Sequence, residues 1–384
     1  MKKWYFLFLL GFLLTGCRET AKPEKAVTAP SQKTWTPRYA RGFTVAYAGD
    51  GVAYLTIKNP WPGAERDFRY ALVPREKIAE FTPPGEGLDG VIGTPVERII
   101  LTSTTHIPAL ETLGLEDRLV GFPGLDYISS PKTRRRIENG AIAELGANEQ
   151  LNTERVLSLD PDLIVGFGVS GAPSSYQALE ASSIPVVYNG DWMEEDPLGK
   201  AEWLLFFGLL LGEEAAAQSA FEKVESEYQQ ARDLAAGANT SPTVLSGALY
   251  RDVWYLPGGE SWAAQFIKDA NARYLWEDTP GNGSLSLSLE SVLEKGAEAD
   301  FWIAPSQFTS YSEMARSNQH YRQFRAFGNK KIYTYALSRG PGAGMLYYER
   351  GPGRPDLILK DLIYWLHPGL LPDYTPVFFK PLHP

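Results

Sequence analysis

The chain has 384 residues, of which 44% are hydrophobic and 22% charged, so it can bury a large core and is expected to form more than one lobe. Its formal net charge of −9 disfavours nucleic acid as a partner. A single cysteine excludes a disulfide within the chain, so the core must supply the stability.

The first 17 residues have the form of an export signal. Two lysines give a cationic start, and Trp4–Leu14 is an apolar run too short to span a bilayer as a mature helix. The sequence Leu-Thr-Gly-Cys that ends at Cys17 resembles a bacterial lipobox, at which the signal is cut and the cysteine is lipidated. The alternative is an ordinary signal peptide with an accidental cysteine. We expect residues 1–16 to be removed and Cys17 to anchor the chain in the cell envelope, on the periplasmic side in a Gram-negative organism.

Two segments precede the main fold. Residues 17–34 hold mostly Lys, Glu, Pro, Thr and Ser, which is typical of a flexible tether. Residues 35–96 are rich in β-forming residues, and Asp50-Gly51 lies between the segments Phe43–Tyr47 and Val52–Ile57, which predicts a hairpin. We therefore expect a small β annex between the tether and the main fold.

Residues 97–197 have the pattern of a first α/β lobe. Short apolar segments alternate there with helical patterns, which is typical of a parallel sheet covered on both faces. The four segments are Arg98–Leu101, Arg118–Phe122, Asp162–Phe167 and Pro185–Tyr188. Helical composition then dominates residues 198–236, where Glu213–Ala235 predicts a helix of about 33 Å at about 1.5 Å per residue, long enough to connect two lobes.

A second α/β lobe is predicted over residues 237–384. Its predicted strands are Thr243–Tyr250, Asp300–Ala304 and Lys331–Tyr335. The two lobes also share a local likeness, because Thr153–Val165 parallels Leu289–Ile303: in each, a Glu opens a helix and an Asp precedes the next strand. A ligand is expected in the cleft between the lobes.

These patterns resemble the substrate-binding proteins of ABC importers for iron–siderophore complexes, haem and cobalamin. The resemblance covers about residues 97–367, and the annex and the ending Arg354–Pro368 resemble a lipoprotein subgroup seen in Bacteroidetes-type bacteria. The matching segments are Arg98–His106, Leu113–Gly121, Leu151–Ile164 and Leu289–Leu293. The resemblance implies an α/β fold of two Rossmann-like lobes with mainly parallel sheets, joined by a long rigid α-helix. It also implies a monomer that works with an ABC permease and its ATPase.

In that family, one glutamate at the exposed tip of each lobe pairs with arginines of the permease. Glu154 and Glu290 are the positions that match, and a carboxylate in the first turn of a helix is favoured by the helix dipole. The alternative is plain helix capping, since Thr153 and Ser288 are good cap residues. Paired charges at two tips would set the register of docking more than its affinity.

Histidine content bears on whether the ligand is a bare metal ion. The chain has four histidines, and His106 alone is expected on a strand-to-helix loop that faces the cleft. Several His and carboxylate ligands are needed to hold zinc or manganese, so a bare ion is disfavoured and no metal site is predicted. His106 either contacts the ligand or bonds to its own loop.

Aromatic residues and arginines are the expected lining of the cleft. Flat rings and guanidinium groups together suit a large, flat or polycyclic anion. The alternative is that many of these rings only pack the lobe interface. The predicted ligand-binding residues, besides His106, are Trp192, Tyr250, Arg251, Trp254, Trp262, Arg339, Tyr347, Tyr348 and Arg350.

The resulting hypothesis is a lipid-anchored receptor that delivers a ferric-siderophore-type complex to an ABC permease, without catalytic residues or a cofactor. Cobalamin and haem are the alternative ligands, and Tyr347, Tyr348 or His106 could then be an axial ligand of haem iron. A surface lipoprotein hydrolase is the alternative of another class. Gly259–Ala263 approaches a nucleophile-elbow motif but ends in Ala and does not follow an obvious central strand.

Overall fold

The computed structural model describes residues 33–85 and 87–384, so the signal, Cys17 and nearly all of the predicted tether lie outside the described residues. The chain opens with a five-stranded sheet in which neighbours are antiparallel except for the last, parallel pair. Its strands are β1 (Lys33–Trp35), β2 (Phe43–Tyr47), β3 (Ala53–Ile57), β4 (Phe68–Pro74) and β5 (Gly90–Thr94). The predicted hairpin is confirmed, because Phe43 pairs with Ile57 and Tyr47 with Ala53.

A second sheet forms the first lobe, with the order β12-β11-β6-β7-β8 and all neighbours parallel. The strands are β6 (Ile99–Leu101), β7 (Leu119–Phe122), β8 (Ala143–Glu144), β9 (Gly146–Ala147), β10 (Gln150–Leu151), β11 (Leu163–Gly166) and β12 (Val186–Tyr188), of which β9 and β10 form a separate antiparallel pair. The helices between them are α1 (Ile107–Thr112), α2 (Pro131–Glu138), α3 (Thr153–Leu159) and α4 (Ser174–Ala181).

Three helices follow the first lobe: α5 (Pro197–Glu202), α6 (Leu204–Leu211) and α7 (Glu214–Ala236). With 23 residues, α7 is about 34 Å long at about 1.5 Å per residue, which confirms the predicted long helix with its bounds shifted by one residue. Its first half contributes Ala217 and Phe221 to the core of the first lobe, and its second half contributes Tyr228 and Ala231 to the core of the second. One continuous helix therefore belongs to both cores, which restrains the movement of one lobe against the other.

The second lobe has a main sheet of order β16-β13-β18-β19-β20, parallel except for β20, and an antiparallel sheet of order β14-β15-β17. The strands are β13 (Thr243–Ser246), β14 (Ala248–Tyr250), β15 (Val253–Pro257), β16 (Arg273–Tyr274), β17 (Ser284–Leu287), β18 (Phe301–Ile303), β19 (Ile332–Thr334) and β20 (Lys380–Pro381). The helices are α8 (Trp262–Asp269), α9 (Leu289–Gly296), α10 (Tyr311–Ser317), α11 (Arg325–Gly328), α12 (Leu346–Arg350) and α13 (Pro355–Leu366).

One predicted strand of this lobe is divided. The segment Thr243–Tyr250 breaks at Gly247, whose φ of 76° lies in the left-handed region, and its two parts join different sheets. A Cβ atom at Gly247 would lie 1.9 Å from the carbonyl oxygen of Tyr255, so only glycine fits there. The remaining architecture, two α/β lobes with mainly parallel sheets joined by one long helix, is as predicted.

The N-terminal sheet packs into the first lobe. Phe43 and Leu55 are buried in the first-lobe core, and the Phe43 ring lies 4.8 Å from the ring of Trp203 just before α6. The carboxylate of Glu202 accepts hydrogen bonds from three successive backbone N–H groups, those of residues 38–40, at 2.7–2.8 Å. This sheet and the first lobe therefore share one core. Among the described residues, no helix combines the length and the apolar character needed to cross a membrane.

Candidate functional site

Two cavities lie where the carboxyl ends of the parallel strands face the opposite lobe, the place where sheets of this type bind ligands. The aromatic cavity has a volume of about 440 Å³ and is lined by second-lobe residues. The junction cavity, of about 610 Å³, is lined by loops that follow β6, β7 and β11 of the first lobe and by Ala343–Met345 of the second. Tyr348 lines both cavities and joins them into one candidate site.

The aromatic cavity is walled by stacked rings. The Tyr335 and Tyr347 rings stack at 4.5 Å with an interplanar angle of 9°, and Trp262 stacks on Tyr347 at 6.1 Å and 27°. The hydroxyl of Tyr348 donates to that of Tyr335 at 2.8 Å. Burial raises the pKa of Tyr335 and of Tyr347, so both phenols stay neutral at physiological pH. No residue that lines this cavity is charged, and it therefore offers flat apolar faces with hydroxyl groups at their edges.

The junction cavity is bounded by close backbone contact between the lobes. Ala343 N–H donates to the carbonyl of Asp126 at 3.0 Å, and a Cβ atom at Gly344 would lie 2.0 Å from the carbonyl oxygen of Tyr127. The glycine-rich loop is thus needed for the approach of one lobe to the other. Tyr127 is 60% exposed on the first-lobe side of this cavity, where Glu149 is the single charged lining residue.

A buried carboxylate holds the two lobes together beside the site. Glu349 on α12 is 1% exposed, and it accepts hydrogen bonds from the backbone N–H groups of Ser129 and Ser130 at the start of α2, the latter at 2.8 Å. Burial raises the pKa of Glu349 to about 7, with a smaller contribution from the nearby charge of Glu111. The contact between the lobes is therefore sensitive to the protonation of one side chain.

Four of the predicted ligand-binding residues come together in the aromatic cavity: Tyr250, Trp262, Tyr347 and Tyr348. Tyr347 is only 6% exposed, so only an edge of its ring faces the cavity. Tyr250 and Tyr348, by contrast, are open to solvent. Trp192 is partly exposed but lies outside both cavities.

Two predicted residues are buried away from the site, and for them the prediction is wrong. Trp254 is fully buried in the second-lobe core, where its ring stacks on that of Trp302 at 5.2 Å. His106 is also fully buried and packs against Phe207 at 5.6 Å, and burial lowers its pKa to about 4. Neither ring can contact a ligand in the cleft.

The three predicted arginines also lie outside both cavities. Arg251 occupies the turn between β14 and β15 with a φ of 56°, and its guanidinium lies 5.4 Å from the ring of Tyr250. Arg339 donates from Nε to the carbonyl of Ala336 at 3.2 Å. Arg350 faces a different space between the lobes. None of the three guanidinium groups lines either cavity, and the one that contacts a lining ring is that of Arg251, against Tyr250.

Some lining residues were missed at the level of sequence, notably Tyr127, Tyr255 and Tyr335. The alternation of side chains along a strand would have indicated Tyr255. Trp254 and Leu256 are buried, whereas Tyr255 between them points to the other face and is 42% exposed. Tyr335 follows directly on β19, at the carboxyl end where ligand-facing residues are expected.

The serine of the hydrolase alternative has a structural role. Ser261 is 3% exposed; its hydroxyl donates to the carbonyl of Gly258 at 2.7 Å and accepts from the N–H of Ala264, which caps α8. Within residues 33–85 and 87–384, no three His, Cys, Asp or Glu side chains are grouped so that they could hold a metal ion.

The two predicted docking glutamates are both exposed, one on each lobe, in the first turns of α3 and α9. The cap of α3 is Asn152, whose side chain accepts from the N–H of Arg155 at 2.9 Å, and not Thr153 as the sequence suggested. Ser288 caps α9 as expected. Backbone and Ser288 hydrogen bonds lower the pKa of Glu290, so it is charged at neutral pH. Asn152 and Ser288 cap the two helices, and the carboxylates of Glu154 and Glu290 are exposed, that of Glu290 while it is hydrogen-bonded to Ser288.

Comparison with known proteins supports this architecture. The family model for periplasmic binding protein matches residues 99–336. An uncharacterized lipoprotein of Methanocaldococcus jannaschii is 25% identical over an alignment of 298 residues that covers 75% of this chain and 69% of that protein.

Solved structures share the fold. A periplasmic heme binding protein from Pseudomonas aeruginosa has a TM-score of 0.55 at 20% identity, covering 75% of this chain and 99% of that one. A possible iron-binding (periplasmic solute-binding) protein from Staphylococcus epidermidis has a TM-score of 0.55 at 18% identity, covering 71% of this chain and 100% of that one.

Proposed function

The chain belongs to the periplasmic binding protein family, and we propose on that premise that it is the lipid-anchored solute-binding receptor of an ABC importer for a bulky metal chelate. The two lobes share one rigid helix, and the candidate site lies between them. This arrangement suits a protein that binds a solute and presents it to a transporter. The buried cap role of Ser261 supports binding in preference to hydrolysis.

The observation that carries the ligand class is the uncharged, ring-lined wall of the aromatic cavity. Stacked Trp and Tyr faces bind a broad, flat surface well, and their hydroxyl edges suit its polar rim. An iron chelate of the siderophore type is the first candidate, and the solved relatives named above include an iron-binding and a heme-binding protein. The absence of a basic side chain from this cavity's lining favours a chelate whose contacting face carries little charge over one with exposed carboxylates or catecholates.

An amphiphilic macrocycle such as cobalamin or haem is the second candidate. The near-parallel stack of Tyr335, Tyr347 and Trp262 favours it, because a flat ring system can continue such a stack. A siderophore complex and a macrocycle would both be recognised by contact with the aromatic rings of this cavity. Direct titration distinguishes them.

Delivery to the membrane would use the two exposed glutamates and the anchor. Glu154 and Glu290 lie on different lobes, so a permease with two basic patches could contact both at once, which would fix the register of docking. Cys17 lies outside the described residues, and lipidation there would hold the receptor at the membrane that contains the permease and its ATPase.

The ligand class is tested by comparing one aromatic with two arginine variants. Trp262→Ala should weaken binding of the chelate about tenfold or more, since it removes a stacking face worth roughly 1.5–3 kcal/mol. Arg251→Met and Arg339→Met, which alter residues outside both cavities, should stay within about threefold of wild type. Trp262→Phe is the matched control, because it keeps a ring over Tyr347.

The titrations would follow tryptophan fluorescence with a neutral ferric hydroxamate, a ferric catecholate, cobalamin and haem in turn. Loss of affinity in both arginine variants, with Trp262→Ala unchanged, would contradict the proposed mode of recognition. Equal loss in Trp262→Phe and Trp262→Ala would instead assign Trp262 to the fold of the cavity.

A further inference from the structure

A third cavity lies between the lobes and shares no lining residue with the other two. Its volume is about 460 Å³. Helices α1, α2, α5 and α6 line it from the first-lobe side, and the turn between α12 and α13 lines it from the second. It adjoins the Glu349 contact, because Ser130 and Arg350 both reach it. We name it the basic cavity.

The basic cavity concentrates positive charge in an acidic protein. Five basic residues line it against two acidic ones, Glu111 and Asp191, although the chain as a whole carries a net charge of −9. The basic residues are Lys132, Arg135, Lys200, Arg350 and Arg354. Such an excess in a concave site raises the local concentration of anions.

Three of these five cations already have partners. Lys132 pairs with Glu116 at 2.7 Å, and Arg354 pairs with the fully buried Asp356 at 2.7 Å. Lys200 donates from Nζ to the carbonyls of residues 191 and 192 at 3.0 and 2.9 Å. These contacts hold the wall of the cavity in place.

The other two cations, Arg135 and Arg350, form no direct side-chain pair within the part of the chain that the structure describes. Among residues 33–85 and 87–384, neither Arg135 nor Arg350 forms a side-chain hydrogen bond or an ion pair, although the positive charge of Arg350 lies close enough to Glu349 to lower the pKa of that carboxyl. Arg135 lies on α2 of the first lobe, whereas Arg350 ends α12 of the second lobe and is half-buried. Two guanidinium groups, the exposed one of Arg135 and the half-buried one of Arg350 beside Glu349, therefore face one cavity from opposite lobes.

The acids near these arginines are engaged by other groups, and Glu349, which faces Arg350, accepts from two backbone N–H groups. Glu111 accepts hydrogen bonds from the hydroxyls of Ser130 and Thr133, and Asp191 is 7% exposed beside Lys200. The start of α2, an eight-residue helix, also lines the cavity and adds the positive end of a helix dipole. Planar guanidinium groups bind carboxylate or phosphate oxygens in pairs.

We propose that the basic cavity binds a small multivalent oxyanion, of the polycarboxylate or phosphate type, held between Arg135 of the first lobe and Arg350 of the second. An anion that contacts both lobes stabilises the contact between them, beside the hydrogen bonds that Glu349 makes. This site is separate from the aromatic and junction cavities, so its existence does not depend on which chelate is transported.

The test is calorimetric titration of the solute-free receptor with inorganic phosphate and, separately, with citrate, each at constant ionic strength against chloride. Wild type should bind one of these anions with a stoichiometry of one, and the two arms identify which anion class is preferred. Arg135→Met and Arg350→Met should each weaken that binding about tenfold or more, because each removes a charge-assisted pair of hydrogen bonds. Arg316→Met, which removes an exposed arginine on α10, is the matched control and should bind as wild type does.

Three results would overturn the proposal. The first is that wild type binds neither anion. The second is that wild type and all three variants bind both anions equally well, which would indicate non-specific attraction. Loss in only one of the two cavity variants would refute an anion held by both lobes. Thermal unfolding in chloride gives the folding control: all variants should unfold near the wild-type temperature, and phosphate or citrate should raise that temperature for wild type and Arg316→Met only.

Discussion

Glu349 joins the lobes through a buried carboxylate, and its replacement by glutamine gives a direct test of that contact. The side chain accepts from the N–H groups of Ser129 and Ser130, and burial raises its pKa from the ordinary value of 4.5 to about 7. The two N–H groups donate to different carboxylate oxygens, so glutamine keeps one acceptor, loses one hydrogen bond at every pH and removes the titration. The charged groups that face Glu349 are Glu111, which raises its pKa further, and Arg350, which lowers it.

The sign and size of the effect follow from linkage. A raised pKa in the folded state means that the folded protein binds more protons than the unfolded chain between about pH 4.5 and pH 7. The contribution of Glu349 to the free energy of unfolding therefore increases as the pH falls through 7. It stops increasing below the pKa that Glu349 has in the unfolded chain. For a pKa of about 7, the change between about pH 8 and pH 5 amounts to roughly 2.5 kcal/mol.

The assay is urea unfolding of wild type and Glu349→Gln at several pH values, followed by tryptophan fluorescence. The unfolding free energy of wild type minus that of the variant should rise by roughly 2.5 kcal/mol from about pH 8 to pH 5. Glu294→Gln, on the exposed face of α9, is the matched control and should give a flat difference. A flat difference for Glu349→Gln, or a rise in the opposite direction, would refute the reasoning.

Three further predictions concern the N-terminal sheet, the anchor and docking. Glu202→Ala should lower the free energy of unfolding, measured with urea, by about 3–5 kcal/mol, because three backbone N–H groups lose their acceptor. A cost below about 1 kcal/mol would show that the N-terminal sheet is held by its apolar contacts alone. Cys17→Ser should leave the protein without lipid, and acyl chains found on the variant by mass spectrometry would disprove the lipobox assignment. Glu154→Ala with Glu290→Ala should abolish stimulation of the permease ATPase while chelate affinity stays within a few-fold, and a parallel loss of affinity would place these residues in the binding site.

The elements that the sequence predicted well are those governed by local pattern. The hairpin around Asp50-Gly51 and the helix α7 depend on turn chemistry and helix-forming composition, which neighbouring residues determine. The same holds for the alternation of short apolar strands and helices in each lobe. The division of Thr243–Tyr250 was missed because it depends on the approach of the Tyr255 backbone to Gly247.

The lining of the site was predicted only in part because it depends on which side of each element faces the core. Trp254 and Trp262 look equally suitable in sequence, yet the first lies on the central strand β15 and is buried, whereas the second opens α8 at the cavity. Arg251 sits at the tip of a turn with positive φ, where its guanidinium lies against the ring of Tyr250 and does not itself line the cavity. Long side chains on loops are positioned by tertiary contacts that composition does not encode.

The central claim, that the receptor binds a bulky metal chelate between its lobes, is tested most directly by the visible absorption spectrum and mass of the ligand that co-purifies with the protein from its native host. We expect one chelate per chain, seen as a ferric charge-transfer band, a corrinoid band or a Soret band. Its loss in Trp262→Ala would place that chelate in the aromatic cavity. A colourless ligand of another class, such as a sugar or a peptide, bound at one per chain and lost in the same variant, would contradict it.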